Sequence, residues 1–197
     1  MLERVLVGKR IERVGVVDDR IVFADTAPRT FARKLKGRRV TAASRRGKQM
    51  WLELDERPWP LLHFGMTGGF VEYESAKDRP RFWKVEFVTE DGRRLAMTNA
   101  RRLGRIRLQD DPLNEVPICK LGFDPLLDMP SPGRFVGLVQ ARKAPLKAIL
   151  LDQGFAAGVG NWIADEVLYQ AKLSPHRTGS DLTDAEAKRM RTKLGLV

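Results

Sequence analysis

A chain of 197 residues with 36 Lys and Arg against 25 Asp and Glu carries a formal net charge of +11. That imbalance points to a polyanionic partner, nucleic acid first, because neutralising phosphates releases counterions; the bland alternative is a basic protein kept soluble by its charge. One Cys and two His exclude a four-ligand zinc site and an internal disulfide, and no apolar run approaches the roughly 18 residues of a membrane span.

The start Met1-Leu2-Glu3-Arg4 lacks the charged and apolar regions of a secretory signal, so an intracellular protein of cytoplasm, nucleoid or nucleus is expected. Cys119 lies in an apolar run and reads as a small core residue. In chain order, Ile11 to Val17 and Ile21 to Phe23 read as short strands about a turn at Asp18-Asp19-Arg20. Val40 to Ser44, Gln49 to Leu54 and Pro60 to Phe64 follow. Gly69 to Tyr73, Trp83 to Thr89 and Arg94 to Thr98 continue the series, with Glu90-Asp91-Gly92 as a hairpin turn. Strands so spaced predict a sandwich or barrel.

Pro130, Ser131 and Pro132 read as a linker, beyond which apolar spacing becomes helical. Phe135, Leu138 and Val139 make one stripe. Leu146, Ile149 and Leu150 make a second, behind Pro145 at a first helical position. Trp162, Val167, Leu168 and Ala171 mark a third helix, ended by Ser174-Pro175. A fourth opens with capping-box spacing between Thr183 and Glu186 and runs to Val197 with no evident cap, as though cut within the element. The fold class expected is α+β: a β domain over 1–125, then an all-helical domain over 129–197.

Four segments could carry chemistry. In Leu151 to Glu166, Gly158 and Gly160 permit close backbone approach. Asn161 would cap the helix that follows, whose amides and positive dipole end suit a phosphate; Arg142, Lys143 and Lys147 stand upstream. A packing turn is the plain alternative. In His63 to Gly69, tight-turn residues place Met66 between strands, either as an exposed wedge for a base stack or folded into the core. His63 is a structural histidine or something more. Asn99 to Arg107 holds four arginines, on a solvated strand face or on a loop presenting a fork donor. Lys48, beside Arg45 and Arg46 and ahead of a buried-looking strand, could have its pKa lowered enough to act as a base.

These segments, with Gly8-Lys9-Arg10-Ile11 and Leu121-Gly122-Phe123-Asp124-Pro125-Leu126, resemble the formamidopyrimidine-DNA glycosylase (Fpg/Nei) family, especially its plant and fungal members, in register over nearly the whole chain. The resemblance implies a β-sandwich followed by a helix-two-turn-helix domain, with damaged double-stranded DNA bound in the cleft between them by a monomer. The implied function is a base-excision glycosylase and abasic-site lyase that removes oxidised purines such as formamidopyrimidine and 8-oxoguanine after flipping the base. The alternative is a non-catalytic relative that binds damaged DNA. Met66 matches the wedge filling the gap, Arg101 the arginine facing the orphaned base, and Leu103 stands where a phenylalanine is usual. Lys147 and Asn161, with Lys143 beside them, match phosphate-gripping residues; Lys48 matches a lysine that contacts phosphate and assists elimination.

Departures are visible too. The family opens Met-Pro-Glu-Leu-Pro-Glu, and its proline amine forms the Schiff base; that motif does not precede Gly8-Lys9, so a catalytically silent form is expected. The C-terminal segment, a zinc finger in bacterial members, is not matched either, and no cofactor is expected. Asn99-Ala100 replaces a frequent Asp-Pro, and Phe82 a common histidine.

Overall fold

The computed structural model describes residues 1–197 as two compact units, Met1–Ile118 and Cys119–Val197. Together they hold two antiparallel four-stranded sheets and six α-helices, a mixed α+β fold.

In the first unit, α1 (Leu2–Leu6) leads into β1 (Ile11–Val16), α2 (Pro28–Leu35), β2 (Val40–Arg46), β3 (Gln49–Leu54), β4 (Trp59–His63), β5 (Gly69–Tyr73), β6 (Trp83–Thr89), β7 (Arg94–Thr98) and β8 (Arg105–Gln109). The sheets run β1-β6-β7-β5 and β2-β3-β4-β8. Inward side chains of both sheets, among them Phe87, Leu95 and Met97 of one and Leu52, Leu62 and Ile106 of the other, join a single core with Phe31 and Leu35 of α2. Each such side chain contributes about 1.5–3 kcal/mol on burial.

The turn at Asp18–Arg20 is not a hairpin. Its second arm forms no strand; only Phe23 makes an isolated bridge, to Ile106. The Val22 and Phe23 amides donate to the Asp19 backbone oxygen, and the Asp19 carboxylate accepts the Ile21 and Val22 amides as well as more distant donors. Helices α1 and α2 and strand β8 go beyond the elements expected from the sequence. α2 shows only Pro28, Phe31 and Leu35 as its buried stripe within a run of cations. β8 alternates buried Ile106 and partly buried Leu108 with Arg105 and Arg107.

The second unit begins earlier than the Pro130–Pro132 linker suggests. The Gly122 amide donates to Gln153 O at 2.9 Å, the Ala157 amide donates to Phe123 O at 2.8 Å, and the Phe123 ring meets Phe135 and Phe155 edge-on with centroids 5.9 and 5.3 Å away. Residues 119–125 therefore belong with the helices α3 (Pro132–Gln140), α4 (Leu146–Leu151), α5 (Asn161–Gln170) and α6 (Asp184–Leu194). Val136 replaces Leu138 in the buried stripe of α3. Trp162 is 68% exposed rather than core. Pro145 is the residue preceding α4, not its first. Cys119 is exposed, because the neighbouring Ile118 takes the buried position. The Thr183–Glu186 capping box forms in full at the start of α6.

Candidate nucleic-acid interface

Asn99 builds the first half of the site. It is fully buried, and its amide bridges two loops. Nδ2 donates to Phe64 O at 2.6 Å, and Oδ1 accepts the Gly104 amide at 2.9 Å. The fit leaves no room for side chains around it. A Cβ on Gly68 or Gly104 would lie 2.5 or 2.6 Å from Nδ2, and one on Gly65, at φ +68°, would meet the Leu103 backbone at 2.7 Å. Those three glycines are therefore demanded by close approach. Phe64 and Phe70 pack edge-on at 4.9 Å and brace both ends of the turn. What remains for solvent is Met66, 73% exposed, beside Leu103, 43% exposed. The Arg101 Nη1 donates toward Met66 Sδ at 3.9 Å.

The two adjacent arginines diverge. Arg102, at φ +55°, turns back and gives its guanidinium fork to Asp19 at 2.9 and 3.0 Å; Lys84 joins the same carboxylate at 2.8 Å. Burial alone would raise the Asp19 carboxyl, but the hydrogen bonds from Arg102, Lys84 and the Val22 amide outweigh it and hold the group far below the usual carboxylate range. Arg102 is thus an anchor, and Arg101 is left on the outer surface. Asp19 escapes a reading of the sequence because a carboxylate in an apparent turn carries no signal of its distant partners.

Lys48 sits in the two-residue loop between β2 and β3, behind Gly47 at φ +57°. The register sets Arg46 opposite Gln49, Gln49 opposite His63, and His63 opposite Arg105, so one row across the sheet is basic. Desolvation lowers the pKa of Lys48 below the ordinary lysine value. Burial lowers His63 first, and the charges of Lys48, Arg105 and Arg107 lower it further. His63 Nδ1 accepts the Gly65 amide at 3.2 Å, which requires a lone pair on that nitrogen.

In the second unit, Gln153 shapes the glycine-bearing loop. Its Nε2 donates to Leu151 O and Val159 O, both at 2.9 Å, and its Oε1 accepts the Gly158 amide at 3.1 Å. Arg142 pairs with Asp152 at 2.7 Å and lies over the Phe155 ring, 5.0 Å from its centroid. Gly160, not Asn161, is the capping residue of α5. Asn161 is its first helical residue and is exposed, no side chain caps the start, and the first turn holds no acid. That start offers open amides at a positive dipole end. Lys143 is exposed in the loop between α3 and α4. Lys147 Nζ lies 2.7 Å from Asp165 Oδ1, an exposed pair. No group of three or more His, Cys, Asp or Glu could hold a metal ion.

The residues singled out in the sequence therefore fall in two sets. Lys48, Met66, Arg101 and Leu103 lie in the first unit, and Lys143, Lys147 and Asn161 in the second. Asn99 and Gln153, which shape the loops, are not among them; two glycines crowded about one amide side chain are legible only in three dimensions.

Residues 1–106 match the model of the formamidopyrimidine-DNA glycosylase N-terminal domain, and residues 121–197 that of the formamidopyrimidine-DNA glycosylase H2TH domain. A formamidopyrimidine-DNA glycosylase of Arabidopsis thaliana is 35% identical over 206 residues, 98% of this chain and 53% of the relative. The chain thus spans about half the length of that relative. The crystal structure of MutM (Fpg) from Thermus thermophilus is similar with a TM-score of 0.83 at 32% identity, covering 99% of this chain and 69% of that one. Lactococcus lactis formamidopyrimidine-DNA glycosylase, solved non-covalently bound to DNA containing an AP site, shares the fold with a TM-score of 0.89 at 23% identity, covering 99% and 75%. With both domain models matched in sequence order, the chain belongs to the formamidopyrimidine-DNA glycosylase family.

Proposed function

We propose that this protein binds damaged double-stranded DNA as a monomer and that, as a whole protein, it is a base-excision glycosylase and abasic-site lyase for oxidised purines. The observation that carries the reading is the pairing of exposed Met66 with Arg101 on loops fixed by a buried asparagine. A flexible apolar side chain aimed at solvent beside a guanidinium suits a duplex from which one nucleotide has been rotated. The thioether fills the vacated stack, and the fork donor meets the unpaired base edge. Leu103 widens the apolar plug. The open start of α5 with Asn161, and Lys143 and Lys147 near it in sequence, would grip phosphates.

Lys48 is read as the residue that contacts phosphate and moves a proton in strand cleavage. Desolvation lowers the pKa of Lys48, the direction that favours a proton acceptor over an ordinary ammonium. The family names of the relatives and the matched H2TH domain support the further reading of the two sheets as a β-sandwich and of Cys119–Val197 as a helix-two-turn-helix module.

The test is binding of the 197-residue chain to a duplex bearing a tetrahydrofuran abasic analogue, compared with the intact duplex, by fluorescence anisotropy at low salt. Preference for the abasic analogue is expected, whereas equal or absent affinity overturns the reading. Incision of an 8-oxoguanine duplex by the whole protein tests the activity.

A further inference from the structure

The 27 residues from Thr26 to Leu52 contain nine Lys and Arg and no Asp or Glu. Within them, α2 carries an unusual surface. Its buried side is Pro28, Phe31 and Leu35. Arg29, Arg33 and Lys36, the last just beyond the helix end, are spaced i, i+4 and i+7, so they stack along one outward stripe over about 10 Å of helix. All three, and Lys34 on the flank, are exposed, and none makes an ion pair, in contrast to Arg38 with Glu56, Arg39 with Glu90, Lys9 with Asp91 and Arg107 with Asp25.

The helix also has a direction relative to the Met66 loop. Its start lies by Val16, at the end of sheet β1-β6-β7-β5 where Gly69 pairs with Thr98. Its far end lies by Ile11, whose carbonyl accepts the Gly37 amide at 2.7 Å. The stripe therefore leads away from the loop that carries Met66. The groove at its start is mixed in charge, with Asp18 and Asp25 beside Arg20 and Arg29, and Asp25 is already paired with Arg107.

We infer that the Arg29–Arg33–Lys36 stripe is a second contact surface for the phosphate backbone of duplex DNA, outside the contacts at the lesion. Unpaired cations in register on one helix that carries no acid of its own complement a duplex that presents one charge per about 1.7 Å of its axis. The inference rests on the DNA-binding reading above, because it takes the same duplex to extend beyond the damaged nucleotide.

The experiment is the salt dependence of binding to a 30-base-pair duplex with a tetrahydrofuran site, for the wild-type chain and for Arg29→Gln/Arg33→Gln/Lys36→Gln. The expected result is a slope of log K against log salt shallower by about 2–3, with the ratio of damaged to intact affinity unchanged. A charge-retaining Arg29→Lys/Arg33→Lys/Lys36→Arg chain restores the slope. An unchanged slope in the neutralised chain, or no restoration by the charge-retaining one, overturns the inference while leaving the lesion reading intact. Loss of the damaged-to-intact preference already in the wild type instead removes both. A variant that loses more affinity for single-stranded RNA than for the duplex assigns the stripe to RNA and overturns it as well.

Discussion

Arg101 Nη1 lies 3.9 Å from Met66 Sδ although 35 residues separate them in the chain. Neither side chain is held by the core, and both are placed by backbone that is. That separation of support from contact lets the exposed pair be changed without disturbing the fold. Met66→Ala should shift stability by no more than about 0.5 kcal/mol. It should weaken binding to an abasic-analogue duplex about tenfold, with little change on intact duplex. Thermal denaturation beside anisotropy checks both halves, and a large fall in melting temperature contradicts the surface role.

Asn99 presents the opposite case. Asn99→Ala removes both the donor to Phe64 O and the acceptor of the Gly104 amide, leaving two buried backbone groups unpaired. A cost of about 2–4 kcal/mol is expected, together with loss of the abasic preference as the Met66 loop loosens. Urea unfolding at neutral pH measures it. A variant as stable as the parent contradicts the bridging role of the amide.

Asp19 contributes to the acid sensitivity of the first unit. Burial pushes its folded carboxyl up, but Arg102 and Lys84 prevail and hold it well below the ordinary value. Unfolding frees it to take a proton near pH 4. Its stabilisation is thus complete above that pH and falls away as the solution becomes more acid. Asp19→Asn should cost about 3 kcal/mol at pH 7, the low end for a broken buried pair because Arg102 is half exposed. Its stability should then vary less than the wild type's between pH 5 and 2. Parallel pH profiles count against the assignment.

How much of this is open to a reader of the sequence depends on the range of the interaction. The capping box at Thr183 and Glu186 spans three residues and is legible. So are the strands whose apolar residues alternate, such as Trp83 to Thr89, and the exposure of Met66 is one of two readings. Helix α2 is hidden because three buried side chains among cations look like a polar segment. Trp162 misleads because an aromatic residue at a helix start reads as core whichever way it points. Asn99 and Asp19 act on partners 35 to 83 residues away, and no local pattern announces such partners.

His63 should titrate below its ordinary midpoint of about 6.5, since burial and then Lys48, Arg105 and Arg107 all disfavour its cation. The unfolded chain takes up that proton first as pH falls below about 6.5, so stability declines from there until the folded imidazole also charges. Protonation removes the acceptor for the Gly65 amide, so that amide resonance should move with the ring. A ring midpoint at or above 6.5 in an NMR titration, or a Gly65 signal indifferent to it, defeats this account.

Lys147 is engaged with Asp165 before any ligand arrives. Lys147→Ala should weaken duplex binding uniformly and reduce the salt slope by about 1. Asp165→Asn, which frees the ammonium, should strengthen binding about twofold, in keeping with the small worth of an exposed pair. Salt titrations of the three chains decide it, and no change in slope for Lys147→Ala removes the lysine from the phosphate contacts.

The reversal at Gly47 and Lys48 has a mechanical consequence. Two residues are the shortest link between neighbouring antiparallel strands, so the lysine rides at the tip of a stiff ribbon and not on a slack tether. Little of its backbone remains to be immobilised when a substrate arrives, and displacing its Cα requires bending β2 and β3 together. A residue mounted in that way gives up reach in exchange for aim.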